Sequence, residues 1–123
     1  QLTFVQEIKI NGAIIVSTPQ DLALLDVKRG MQMFNKTGVK ILGLIENMSY
    51  FKSEDGTNHK IFGDGGMKKV AQEFSKEILG NLPLDRNLAE ASDKGSPLVI
   101  DHPDHFVSKS FYKIAKKVLD QLD

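Results

Sequence analysis

Gly43–Phe51 reads GLIENMSYF, and the run leading into it, Val39–Ile45 (VKILGLI), decides the fold class. That run is short, mostly apolar and carries β-branched residues, the pattern of a strand buried on both faces of a parallel sheet. It ends abruptly in Glu46 and Asn47, which puts two polar groups at the carboxyl end of a buried strand. Open α/β sheets bind their ligands along that edge. The pattern therefore predicts further strands delivering polar turns to the same edge, with helices over the sheet faces.

Upstream, Leu2–Glu7 alternates weakly and reads as the tail of a helix or an approach segment. Asn11-Gly12 marks a turn, and Ala13–Val16 (AIIV) reads as a buried strand. Ser17–Asp21 (STPQD) then reads as a helix start. Thr18 is the expected N-cap, Pro19 the first helical residue, and Asp21 falls in capping-box position. Leu24, Val27, Met31 and Phe34 follow at helical spacing, and Thr37-Gly38 closes the helix.

Downstream, the polar segment Lys52–Lys60 (KSEDGTNHK) turns at Asp55-Gly56 and is long enough to be a hairpin tip or flap. Ile61–Gly66 (IFGDGG) leads into a helix with its apolar stripe at Met67, Val70, Ala71 and Phe74. Ile78–Leu82 (ILGNL) is a third strand, closed by Pro83-Leu84-Asp85. A short helix is expected over Arg86–Ser92, ending near Gly95. Leu98–Ile100 reads as a last minor strand or an extended connection. Asp101 or Asp104 is then the expected cap of the final helix. Phe111, Ile114, Ala115, Val118, Leu119 and Leu122 give that helix its period, with Lys109, Lys113, Lys116 and Lys117 on other faces. Strands alternating with helices through short links imply parallel pairing and right-handed crossovers. One domain over residues 1–123, or part of one, is expected. Because the chain begins with Gln1 inside ordered-looking sequence, it reads as part of a longer protein.

With 123 residues, the chain has a common single-domain size and can bury a real core. Sixteen basic residues against sixteen acidic ones leave no net charge, so there is no general electrostatic case for nucleic acid or anionic membrane. There is no cysteine, which excludes disulfides and thiolate-ligated metal sites built from this chain alone. No run approaches the ~20 apolar residues a membrane span needs.

If the three strands are parallel, Ser17-Thr18, Glu46-Asn47 and Pro83-Leu84-Asp85 emerge at one edge. An Asn there suits an adenine, since its carboxamide both donates and accepts, as in base readout on DNA. It is also a common turn residue. Pro83 and Leu84 offer an apolar wall, and Asp85 a polar anchor or helix cap. Glu46 is placed to act on a phosphate or a magnesium-bound water, or to serve as a structural acceptor. No G-x-x-x-x-G-K-[ST] occurs, and Gly63–Gly66 does not fit G-x-G-x-x-G. That stretch reads as a tight turn or as backbone amides offered to an anion at a helix start. His102 and His105 form an i, i+3 pair beside Asp101 and Asp104, a conceivable metal site, although Pro103 and the polar composition favour a solvated helix entry.

These residues also match a known pattern. VSTPQDLALLDVKRG (Val16–Gly30), GLIENMSYF (Gly43–Phe51), IFGDGG (Ile61–Gly66), LGNLPLD (Leu79–Asp85) and EASDKGSPLV (Glu90–Val99) together resemble the Mrp/ApbC family. Its members are ATP-binding iron–sulfur cluster carrier proteins of the MinD-like branch of P-loop NTPases. The resemblance runs over essentially the whole chain. It implies a partial P-loop NTPase fold with three layers and a mainly parallel sheet, corresponding to the C-terminal half and lacking the Walker A half. It implies ATP with magnesium as the cofactor of the full-length ATPase, and a 4Fe-4S cluster as cargo. The partners implied are a second copy in a homodimer and apo iron–sulfur proteins, with no nucleic acid and no membrane, in a cytoplasmic or organellar setting. By motif, Asn47 resembles the family's adenine-reading Asn and Pro83-Leu84-Asp85 the segment walling the base.

Two departures shape the expected function. Without the Walker A lysine loop, the chain alone is expected neither to bind ATP tightly nor to hydrolyse it. Where family members carry C-P-x-C after NMSYF, this chain has Lys52-Ser53-Glu54-Asp55, one residue shorter and without sulfur. Conventional cluster binding is therefore not expected here. The alternatives are a nucleotide-dependent scaffold and a MinD- or ParA-like positioning ATPase whose final helix meets a surface. A sheet edge left uncovered is expected to promote self-association.

Overall fold

The short apolar runs become the strands of a parallel sheet, but Ala13–Val16 is not the buried strand expected: it lies at the sheet edge, with Ile14 and Val16 exposed. The computed structural model describes residues 8–122, so the weak alternation over Leu2–Glu7 lies outside the described residues. In chain order the elements are β1 (Ala13–Ser17), α1 (Asp21–Thr37), β2 (Ile41–Glu46), β3 (Phe51–Lys52), β4 (Asn58–His59), α2 (Gly66–Glu73), β5 (Ile78–Asn81), α3 (Arg86–Lys94), α4 (Leu98–Asp101) and α5 (Phe106–Leu122). The sheet runs β1-β2-β5 with both pairings parallel, and β3 pairs with β4 as a separate antiparallel hairpin. Ser17, Glu46 and Asn81 stand in register, so the three strands end level with one another.

A break in register with β1 between Ile41 and Gly43 interrupts the alternation of β2, so Ile41 and Leu44 share a face. On one face Leu44 and Ile41 pack with Leu24, Val27 and Met31 of α1 and with Met67, Val70 and Ala71 of α2. On the other, Ile45, Leu79 and Leu82 pack with Ile114 of α5. The result is the three-layer α/β arrangement expected. Met31, Leu44 and Met67 are wholly buried, each contributing about 1.5–3 kcal/mol relative to exposure. Gly80 lets α5 approach the sheet, because a Cβ there would lie 2.5 Å from Ile114 Cγ1.

Four local readings need correction. First, α1 starts at Asp21 with Gln20 as its N-cap residue, so Thr18 is not the cap and Pro19 is not helical. Thr18 Oγ1 instead donates to Gln20 Oε1 at 3.1 Å, and Pro19 is buried. Second, Leu98–Ile100 belongs to the short helix α4 rather than a strand. The Ile100 and Asp101 amides bond back to the Pro97 carbonyl, a local solution that needs no neighbouring strand. Third, neither Asp101 nor Asp104 caps α5. His105 Nδ1 accepts the Val107 amide at 3.1 Å, and the His105 carbonyl accepts the Lys109 amide. Fourth, Ala115, Leu119 and Leu122 lie on an exposed side of α5, while Val107, Ser108 and Ile114 are its buried residues. The buried Ser108 hydroxyl is satisfied by donating to the His102 carbonyl, which ties α4 to α5.

Candidate functional site

The polar turn after β2 and the segment after β5 remain joined beyond the strand ends. The Asn47 amide donates to the Ser17 carbonyl at 2.7 Å, and the Leu82 amide to the Glu46 carbonyl at 2.8 Å. The Ser49 amide then donates to the Leu82 carbonyl at 2.9 Å and the Leu84 amide to the Tyr50 carbonyl at 2.7 Å. Three of these bonds fix residues 46–50 against Leu82 and Leu84, and the fourth ties Asn47 to the end of β1, as parallel strands ending in register allow. Backbone amides buried at such an edge need partners, and each turn supplies the other's.

Within that frame the four sequence-predicted residues have different surroundings. Asn47 is half-buried, and its Oδ1 accepts the Met48 amide at 3.0 Å. Met48 follows with φ 52°, a left-handed turn residue. Pro83 is buried, so it shapes the segment from within rather than presenting an open wall. Leu84 is 38% exposed and offers the apolar surface instead. Asp85 Oδ1 accepts the Leu88 amide at 3.0 Å and N-caps α3, one of the two roles open to it from sequence. Of the four, Leu84 is exposed, Asn47 and Asp85 are half-buried, and Pro83 is buried.

The electrostatics of this edge centre on Glu46. Burial pushes its carboxyl above the usual carboxylate range, opposed by a hydrogen bond from Ser49 and by the Lys60 ammonium, while Asp64 adds to the rise. Lys60 Nζ itself holds Asp64 Oδ1 at 2.7 Å. Burial likewise raises the Tyr50 phenol, with the Asp85 carboxylate adding to it. The IFGDGG loop lies against the STPQD turn. Gly63 has φ 134°, and a Cβ there would meet the Pro19 carbonyl oxygen at 2.9 Å. Gly63–Gly66 is thus a tight turn leading into α2.

The β3–β4 hairpin closes on itself. Ser53 Oγ donates to Asp55 Oδ1, the Thr57 amide donates to the same oxygen at 2.9 Å, and His59 Nε2 reaches Ser53 Oγ at 3.2 Å. These bonds hold the Asp55 carboxyl below the usual carboxylate range. The family's cluster cargo does not fit this donor set, which has oxygen and nitrogen but no thiolate. His102 and His105 line a hollow of about 320 Å³ with Asn87, Glu90, Lys94 and Asp101. His105 is already engaged there as a helix cap and by Asn87 at 3.2 Å. Among the described residues no group of three or more His, Asp or Glu side chains could hold a metal ion.

Sequence reading missed the Tyr50–Leu84 link and the hairpin's closure. The first joins residues 34 positions apart and leaves no local signal. The second had one, since Ser and Asp flanking a turn commonly bond to nearby backbone.

Comparison with known proteins agrees with this architecture. Residues 1–119 match the ParA family described as the NUBPL iron-transfer P-loop NTPase. The chain is 46% identical over 123 residues to the iron-sulfur cluster carrier protein of Aquifex aeolicus, covering 99% of this chain and 34% of that protein. It is 44% identical over 124 residues to the iron-sulfur cluster transfer protein NUBPL of Mus musculus, covering 99% of this chain and 39% of the other. The chain thus spans about a third of the length of the curated relatives it matches. Among solved structures, a nucleotide-binding protein of Archaeoglobus fulgidus in complex with ADP aligns with TM-score 0.70 and 33% identity, over 86% of this chain and 44% of that one. The cell division ATPase MinD of Pyrococcus furiosus aligns with TM-score 0.70 over 89% of this chain and 43% of its own, at 24% identity, which speaks to fold alone. The chain therefore belongs to the ParA-type family of NUBPL iron-transfer P-loop NTPases, as a partial MinD-like fold.

Proposed function

We propose that this chain is the C-terminal part of an ATP-binding iron–sulfur cluster carrier and supplies the base-facing side of its nucleotide site. The supporting observation is the edge where three backbone bonds join residues 46–50 to Leu82 and Leu84, leading into Pro83–Asp85. Asn47 offers a carboxamide to the polar rim of a purine, and Leu84 offers apolar surface to its face. Asp85 acts at one remove, by capping α3 and so fixing the direction of the segment. The ADP complex of the Archaeoglobus fulgidus relative supports a nucleotide as the ligand class. ATP with magnesium, a homodimeric partner, apo iron–sulfur proteins as recipients, and a cytoplasmic or organellar setting belong to the same proposal for the whole protein. This chain carries no G-x-x-x-x-G-K-[ST] loop, so by itself it neither binds ATP tightly nor hydrolyses it. Calorimetry with ATP and magnesium tests that, with a dissociation constant weaker than ~1 mM expected and micromolar binding contradicting it.

A second reading, a MinD- or ParA-like positioning ATPase, draws on α5. Tyr112, Leu119 and Leu122 are exposed there, at 51%, 63% and 44%, on a helix that also carries lysines. No helix among the described residues is long and apolar enough to cross a membrane, so contact would be superficial. Co-sedimentation with anionic vesicles separates the readings, because robust binding would favour the positioning role.

A further inference from the structure

We infer that the β3–β4 hairpin is closed by its own hydrogen bonds and cannot supply the ligand set of an iron–sulfur cluster. The part of the family's fold carried here then does not hold the cargo for which its relatives are named. This goes beyond the nucleotide reading and is independent of Asn47.

The argument starts from which donor atoms remain free. Cluster iron is held by cysteine thiolates, with imidazole replacing two of them on one iron in Rieske-type centres. The chain has no cysteine and three histidines. His59 is the only histidine on the hairpin, and its Nε2 lies 3.2 Å from Ser53 Oγ. Since that hydroxyl donates onward to Asp55 Oδ1, the imidazole Nε2–H donates to it, which leaves one lone pair, on Nδ1; a single imidazole matches neither a set of thiolates nor the two histidines of a Rieske-type iron. Asp55 Oδ1 also receives the Thr57 amide at 2.9 Å, so one oxygen closes the turn from two directions.

The backbone completes the closure. The Ser53 amide donates to the Thr57 carbonyl and the Gly56 amide to the Ser53 carbonyl, each at 2.9 Å. The remaining histidines lie around α4 and the start of α5, where the Val107 amide occupies His105 Nδ1. Ser53, Asp55 and Thr57 are hard donors already bonded to one another, and Glu54 adds only a further carboxylate, a poor match to iron in a sulfide cluster. A hairpin that waited for a cluster to order it would leave such groups unpaired.

Two measurements on the 123-residue chain test this. In the first, the chain is incubated anaerobically with ferrous iron and sulfide under a thiol reductant, desalted, and assayed for iron, sulfide and visible absorption. The expected result is a folded chain that retains neither iron nor sulfide. Stoichiometric retention of both with a visible charge-transfer band would overturn the inference. In the second, amide exchange is followed without metal in wild type and in Asp55→Ala. The Thr57 amide is expected to be protected in wild type and to exchange several-fold faster in the variant, at unchanged protection of the β2 amides. Equal exchange at Thr57 in both proteins would show that the tip is not closed by Asp55, and would equally overturn it.

Discussion

Two polar stretches follow β2 within a few residues of each other, and the structure treats them in opposite ways. Asn47–Tyr50 is bonded through its backbone to Ser17, Leu82 and Leu84, so its geometry is set by strands on either side. Ser53–His59 is bonded to itself, with both strands of its hairpin exposed. The difference teaches where chemistry on this fold can be precise. A side chain such as Asn47 inherits the rigidity of the sheet, whereas the groups of the hairpin tip satisfy one another and present little to a ligand. Rigid scaffolding of a polar turn is what a binding site requires.

The contrast is broken most severely from beneath the anchored turn. Leu82 is 6% exposed in the cluster under α5, and its amide and carbonyl both join the two turns. Leu82→Ala is expected to cost about 2–5 kcal/mol in chemical denaturation, with the Asn47 and Leu84 amide signals shifting together. A smaller effect comes from the cap. Asp85→Ala removes the acceptor of the Leu88 amide and is expected to cost about 1 kcal/mol, loosening the segment that follows Pro83.

The next two effects depend on pH and sharpen the contrast by sign. The Glu46 carboxyl is raised in the folded state, so the folded protein binds its proton more readily than the unfolded chain does. Its contribution to stability is therefore present below the ordinary carboxylate range and lost as pH rises through its raised value. Glu46→Gln should accordingly be at least as stable as wild type at pH ~7, with a flatter stability profile between pH ~4 and ~7. The effect is small, because the group is only partly buried. Asp55 has the opposite sign. Its carboxyl is lowered, so the bonds it accepts persist above the ordinary value and are lost as pH falls through the lowered one. That loss should appear at the Thr57 amide, leaving the melting of the sheet unaffected.

Much of this was legible in the amino-acid order. The runs AIIV, VKILGLI and ILGNL declare the three strands, although nothing in AIIV signals that Ile14 and Val16 stay exposed at the sheet edge, and Thr37-Gly38 and Gly95 mark helix ends that the structure confirms. The parallel edge follows from alternation of strands and helices, so the meeting of Asn47 with the Pro83–Asp85 segment could be anticipated. The burial of Pro83 could not, because burial is set by tertiary packing that leaves no local signal. The α4 turn was hidden for a different reason. Leu98-Val99-Ile100 has the residue types of a strand, and only the absence of a pairing edge in that place lets the Pro97 carbonyl capture the Asp101 amide. The His105 cap was obscured by two nearby aspartates with better intrinsic propensity. Its imidazole is better placed, lying two residues before the amide it receives.

The central claim is that the anchored edge, and not the hairpin or the His102–His105 hollow, faces a purine. Nuclear magnetic resonance of the whole chain titrated with adenosine tests it without needing the phosphate loop. The account predicts weak, saturable shifts centred on the Asn47 side-chain amide and the Leu84 backbone amide, abolished in Asn47→Ala at unchanged stability. Shifts centred instead on His105 and Asn87, or identical shifts in the Asn47→Ala variant, would contradict it.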